Sequence, residues 1–217
     1  MSGIEYFYAA YSAFAYLGSA RFMAVAEAAG REIVHKPVQL DPIVAAAGQP
    51  PFTGRTPRHR GYYFGREIER WAEYRDVPML KRIPTYHRQP TRLANGMLLA
   101  GLAQGLNIDR LAHALLRAHW VDDGNLNDRD TLDRVGAAAG YDPGPLLDAA
   151  LSDPVQAQLD ANTEEAIARG VMGSPTYGVD GDLFYGQDHL ELVERALERP
   201  FADTWHHPAA KAATGSD

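Results

Sequence analysis

Two serines stand in surroundings that could act together on an anion. The first is Ser12, in the run Ala10-Tyr11-Ser12-Ala13-Phe14-Ala15. It follows an apolar, aromatic segment over residues 4–8 that reads as a buried strand. It precedes a helix expected over residues 14–29 and closed by Gly30. The start of a helix presents unpaired N–H groups and the positive end of the helix dipole. Both favour an anion, and a hydroxyl adds one more donor. The plainer use of such a serine is as an N-cap, worth about 1 kcal/mol. Taken alone, Ser12 is a cap; set against the second serine, Ser174 of Ser174-Pro175-Thr176, the anion-holding role is preferred.

That second serine belongs to residues 171–190, VMGSPTYGVDGDLFYGQDHL, around which the chain is organised. Gly173, Ser174 and Pro175 break the preceding helix, because proline lacks an N–H and restricts the residue before it. Thr176 to Val179 reads as a short strand, Asp180-Gly181 as a two-residue hairpin turn, and Leu183 to Tyr185 as the return strand. Gly186-Gln187-Asp188 then opens a helix whose apolar positions Leu190, Val193 and Leu197 follow helical spacing.

A Ser-Pro-Thr before a hairpin and a final helix resembles the second half of a thioredoxin-like domain. The resemblance implies a cis proline whose preceding residue offers its backbone to a peptide-like thiol ligand. The same stretch is similar to the glutathione-dependent 2-hydroxychromene-2-carboxylate isomerases, relatives of the kappa-class glutathione transferases and of DsbA. YFYAAYSAFAYLG resembles that family's aromatic strand followed by Ser-Pro-(aromatic)-Ser-Tyr-Leu: Ser12, Phe14, Tyr16 and Leu17 match. Ala9, Ala13 and Ala15 stand where the family has an acidic residue, a proline and a second serine.

The resemblance implies an α/β, thioredoxin-like fold with a large all-α insertion. Ser12 takes the place of the redox cysteine and is the expected catalytic residue, holding a glutathione thiolate of lowered pKa. Glutathione is the implied cofactor. Ser174, with Pro175, would pair its backbone with the cysteinyl part like an added strand. Tyr185, Gly186, Gln187 and Asp188 would meet the γ-glutamyl end, although Asp188 also reads as a plain N-cap. The implied reaction is addition of the thiolate to the chromene, ring opening, bond rotation and loss of the thiol, giving trans-o-hydroxybenzylidenepyruvate. A kappa-like transferase that keeps the conjugate, or a noncatalytic module that binds thiol peptides, would use the same site.

Between the two halves, residues 33–40 read as a second strand whose proline suggests an edge or a bend. The expected division is a thioredoxin-like domain over 1–40 and 161–200, an inserted helical domain over 41–160, and a mobile tail over 201–217. Residues 42–61 are rich in Pro, Gly and Arg and read as a loop. The family contacts its substrate's carboxylates there, and Arg55 carries that position; a solvated basic loop remains the alternative. Residues 62–74 are helical and amphipathic, with Trp71 as core. The family also has a tyrosine near the substrate, for which Tyr86 and His87 are the nearest polar candidates. Further helices are expected over 93–105, 109–121 and about 130–140, and from the capping pairs Asp142-Pro143 and Asp153-Pro154.

Composition excludes several classes. The chain has no cysteine, so disulfides, a thiol nucleophile and C-x-x-C redox chemistry are ruled out, and any thiol must arrive with the ligand. His113 and His119 have no HExxH or i,i+4 partner, so no metal site is expected; each reads as a packed or exposed histidine, and His206-His207 in the tail do not make a site either. A formal charge of −7 over 217 residues argues against nucleic acid or an anionic membrane as partner. No run approaches the roughly twenty apolar residues of a membrane span, and no signal pattern opens the chain, so a cytoplasmic location is expected. The expected partners are glutathione, a small acidic aromatic substrate and, by analogy with relatives, a second copy in a homodimer.

Overall fold

A computed structural model describes residues 3–50 and 52–202. The expected tail, with His206-His207, lies almost wholly outside the described residues.

The chain opens with β1 (Ile4–Tyr8), α1 (Ala13–Ala28) and β2 (Ile33–Pro37). Seven helices follow: α2 (Leu40–Ala46), α3 (Arg66–Arg75), α4 (Arg92–Ala103), α5 (Asp109–Trp120), α6 (Arg129–Ala138), α7 (Pro143–Ala149) and α8 (Asp153–Ala168). β3 (Thr176–Val179), β4 (Asp182–Tyr185) and α9 (Leu190–Glu198) complete the fold. The strands form one sheet in the order β2-β1-β3-β4, with β1 parallel to β2 and antiparallel to β3. β2 is therefore an edge strand, where Pro37 costs no ladder bond from the interior of the sheet. This is the thioredoxin-like arrangement with a helical insertion that the sequence led us to expect.

Alternation along β1 separates the layers. Ile4, Tyr6 and Tyr8 point into the main core with Phe22, Val25, Tyr177 and Val193, so α1 and α9 cover that face. Phe7 points the other way, into a smaller cluster with Val38, Ile43, Ala166 and Val171. Tyr6 stacks between Tyr8, at 4.1 Å, and Tyr177, at 5.5 Å. The β3–β4 turn takes the form its residues demand: Asp180 and Gly181 both have positive φ, 50° and 99°.

The insertion departs from expectation at several points. Residues 42–61 are not a plain loop, because α2 occupies Leu40–Ala46, a 3₁₀ turn Phe52–Gly54, and a π-helix begins at His59. Pro42 sits in the first turn of α2, where its missing N–H is not needed. Full burial of Ile43, worth about 1.5–3 kcal/mol, secures that helix. The expected helix over 62–74 is a π-helix over His59–Gly65 followed by α3. Asp142 caps α7 as expected, but Ser152 rather than Asp153 holds the N-cap position of α8. Helix α8 itself runs unbroken from Asp153 to Ala168.

A buried polar relay ties the sheet to the insertion. The Tyr8 hydroxyl bonds His35 Nδ1 at 3.0 Å, and His35 Nε2 lies 2.8 Å from an Asp109 carboxylate oxygen. The carboxylate can only accept, so Nε2 carries the proton; in the neutral ring Nδ1 then accepts from Tyr8. The bond to His35 is the main cause holding the Asp109 carboxyl below its ordinary range. A lowered folded pKa means that this stabilisation is complete above the unfolded value of about 3.9 and is lost as pH falls through the folded one. Asp109→Ala is therefore expected to cost about 1–3 kcal/mol in urea unfolding at pH 7. The deficit relative to wild type should shrink in acid.

Candidate active site

Ser12 caps α1, with φ −71° and ψ 123°, and its Oγ accepts the Ala15 N–H at 3.2 Å. The same hydroxyl donates to the Ser174 carbonyl at 3.0 Å. In return, the Ala9 N–H donates to Ser174 Oγ at 3.0 Å. Two loops 162 residues apart are thus cross-bonded through their serines. The Ser174–Pro175 peptide is cis, and the Pro175 carbonyl accepts the Gly186 N–H at 2.9 Å, joining this loop to the end of β4.

These serines border a cavity of about 670 Å³. Arg55 lines it from the segment after α2, His59 and Phe64 from the π-helix, His87 from the stretch between α3 and α4, Trp120 from the end of α5 and Tyr185 from β4. Ala13 and Phe14 also line it, and among the described residues their N–H groups, at the open start of α1, meet no protein acceptor. The Ser174 N–H is likewise without a protein acceptor. Residues with unbonded main-chain donors and the positive end of α1 therefore border the same space, which suits an anion.

Of the residues expected from sequence, Ser12, Ser174, Tyr185, Arg55 and His87 are brought together here, whereas Pro175, Gly186, Gln187, Asp188 and Tyr86 do not line the cavity. Pro175 and Gly186 lie one bond behind Ser174 and Tyr185. Gln187 is buried, in a 3₁₀ turn (Gln187–His189) that precedes α9, and Arg75 donates to both its side-chain and main-chain oxygens at 3.1 Å. Asp188 is exposed and makes no side-chain cap, with His189 Nδ1 4.0 Å away. Tyr86 points to solvent, 41% exposed. Tyr185 packs on Gly173, where a Cβ would meet its ring at 2.7 Å, so a larger residue there would push the tyrosine ring aside.

The Arg55 guanidinium lies 4.9 Å from the Phe64 ring centre and donates to Gln49 Oε1 at 3.2 Å. Among the described residues no carboxylate lies within ion-pair distance of it, although Asp41 lines the same cavity. Its charge is oriented but not neutralised.

Three residues that matter here were not singled out by sequence for the cavity. Trp120 Nε1 donates to the Tyr11 carbonyl at 2.8 Å, fixing the approach to Ser12. The His119 ring lies within 21° of the plane of His87, with ring centres 5.3 Å apart. Asn95, fully buried on α4, accepts from the Ala10 N–H and donates to the Val38 carbonyl, both at 3.3 Å. His119-Trp120 at a helix end was the available signal, but only tertiary contact shows what the pair faces.

Residues 3–198 match the model of the DSBA-like thioredoxin domain. The chain belongs to that family. Within it, a protein of Pseudomonas sp. (strain C18) named 2-hydroxychromene-2-carboxylate isomerase is 26% identical over 196 residues, covering 89% of each chain. Among solved structures, a selenomethionine form of 2-hydroxychromene-2-carboxylate isomerase superposes with a TM-score of 0.78 at 21% identity, covering 90% of this chain and 94% of that one. A cytosolic disulfide reductase from Pseudomonas aeruginosa, solved with GSH, gives 0.62 at 20% identity over 91% and 93%. The relatives thus include both isomerases and disulfide enzymes, and this family member carries no cysteine.

Loss of the Ser12 hydroxyl removes a cap and the tie to Ser174. Ser12→Ala is expected to cost about 1 kcal/mol, lowering Tm by about 2–4 °C, while Ser12→Thr keeps the cap and most of the stability. Thermal unfolding followed by circular dichroism measures both.

Proposed function

We propose that this protein is a glutathione-dependent isomerase acting on 2-hydroxychromene-2-carboxylate or a closely related unsaturated aromatic acid. The observation that carries the reading is Ser12. In a chain without cysteine, a hydroxyl stands at the positive start of α1, against the cis-proline loop and at the edge of the cavity. A site built for a thiolate but lacking its own sulfur fits a thiol brought by the ligand. The name shared by the isomerase relatives and the GSH in the reductase structure support the same reading.

The residues present fit a thiol tripeptide in part. The open N–H groups of Ala13 and Phe14 and the helix dipole would stabilise a thiolate, and the unpaired Ser174 N–H would bond a peptide carbonyl. The Ser12 hydroxyl, which now donates to the Ser174 carbonyl at 3.0 Å, would turn its proton toward the sulfur. That same turn would free the Ser174 carbonyl to accept a peptide N–H. Gln187, held by Arg75, has its amide oxygen engaged, so the γ-glutamyl end would rely on exposed Asp188 and on Tyr185.

When bound, glutathione supplies the nucleophilic sulfur that adds to an unsaturated carbon and later leaves. Ser12 and the α1 terminus hold that sulfur ionised at neutral pH. Arg55, over the Phe64 ring and, among the described residues, unmatched by a carboxylate, would take the substrate carboxylate in bidentate geometry. The apolar wall of Phe64, Ile68 and Trp120 would cover the aromatic ring.

The test is turnover of the chromene followed by absorbance, with and without reduced glutathione. Wild type should require glutathione. Ser12→Ala should lose about 10²–10³-fold in kcat, as when a single charge-stabilising donor is removed, and the bound thiol should ionise at higher pH by ultraviolet titration. A stable conjugate as product would instead mark a transferase. Failure of wild type to bind glutathione by calorimetry would sink the reading.

A further inference from the structure

The hydrogen bonds around His87 run in one direction. The Gly124 carbonyl, 3.1 Å from His119 Nδ1, can only accept, so His119 Nδ1 carries a proton. In the neutral ring, His119 Nε2 is then a bare acceptor. It lies 3.0 Å from His87 Nδ1, so His87 Nδ1 must carry the donated proton. That leaves His87 Nε2 without a proton. Among the described residues it also has no hydrogen-bond partner, on a ring that lines the cavity with Ser12 and Arg55. Tyr11 and Trp120 meet the ring edge-to-face, each with centres 5.3 Å apart, and fix its orientation.

We propose that His87 is the proton shuttle of this cavity, its Nε2 kept bare by the relay through His119 to the Gly124 carbonyl. This role rests on the isomerase reading above. The substrate hydroxyl sits on the carbon that also bears the carboxylate and the ring oxygen. Its O–H proton passes to Nε2 as that carbon's bond to the ring oxygen breaks and a carbonyl forms. The bond electrons leave on the ring oxygen as a phenolate, which takes the proton back from the imidazolium. No proton or electron is gained or lost overall, and Nε2 ends bare again. His119 acts through His87 and is a positioning residue.

The surroundings keep His87 in the state this requires. Burial, with the neighbouring His119 and Arg88, pulls the His87 imidazole down to about 4, so it is neutral at physiological pH. Burial also lowers His119 and raises the Tyr11 phenol, which keeps both neutral; Asp123 acts on His119 in the opposite sense. Arg55, His59 and Asp41 line the same cavity.

Nitrogen-15 NMR of the free protein reads the tautomer directly and needs neither glutathione nor turnover. At pH 7 His87 should show a protonated Nδ1 and a bare Nε2. His119→Ala should turn that into a mixture of tautomers, which a merely structural role for His119 would not produce. His87→Asn keeps a donor toward His119 and deletes the Nε2 position. It should lower kcat by about 10²–10⁴-fold while glutathione affinity by calorimetry stays within about twofold of wild type. A proton on Nε2, or His87→Asn turning over at the wild-type rate, overturns the shuttle. If wild type neither binds glutathione nor turns over the chromene, the function reading fails instead. The free-protein tautomer then decides by itself: a bare Nε2 upholds the acceptor and a protonated one removes it.

Discussion

The reciprocal bonding of Ser12 and Ser174 is the constraint on which the site depends. β1 and β3 are antiparallel neighbours, so the end of β1 and the entry to β3 lie side by side. Side by side is not yet registered. The Ser12 hydroxyl on the Ser174 carbonyl and the Ala9 N–H on Ser174 Oγ lock the two loops at hydrogen-bond precision. Both serines are more than nine-tenths buried, so an unmade bond there would leave a polar group desolvated at a cost of about 1–3 kcal/mol. On the proposed reading, the proton that now closes the tie is also the one a bound anion would recruit.

The parts of the fold that could be read in the sequence are those fixed by local chemistry. An aromatic run, a helix with a serine before it, an Asp-Gly turn with two positive φ values and an Asp142-Pro143 cap each carry their conformation within a few residues. What escaped was decided over long distances. α2 exists because Ile43 is buried under the sheet beside Phe7, which nothing in a Pro- and Gly-rich stretch announces. Gln187 looks like a ligand contact in sequence, yet Arg75, 112 residues away, turns it inward. His87 was legible as a polar candidate, but its protonation pattern depends on His119, 32 residues on, and on a carbonyl beyond it.

Charge in the cavity is arranged by withholding partners. Most arginines with carboxylate partners are on the surface, as in Arg66–Glu69, Arg82–Asp123 and Arg129–Asp148, where such pairs contribute little. Arg55 instead lies over an aromatic face and donates to a neutral acceptor, and among the described residues no carboxylate pairs with it. The open end of α1 and the bare nitrogen of His87 follow the same pattern. Each is a half-made interaction held rigid by groups behind it, which is how a preorganised site lowers the cost of reorganisation.

Asn95 gives the insertion a different status from that of an appended cap. Its amide, at 0% exposure, bridges the β1–α1 junction and the residue after β2. One side chain of the helical layer thus completes the main-chain bonding of the sheet layer. The two parts are consequently not interchangeable modules. A helical segment transplanted from a relative would have to bring an equivalent amide at the same depth, or leave the Ala10 N–H and the Val38 carbonyl stranded. The base of the insertion is in this way committed to the sheet through one buried amide.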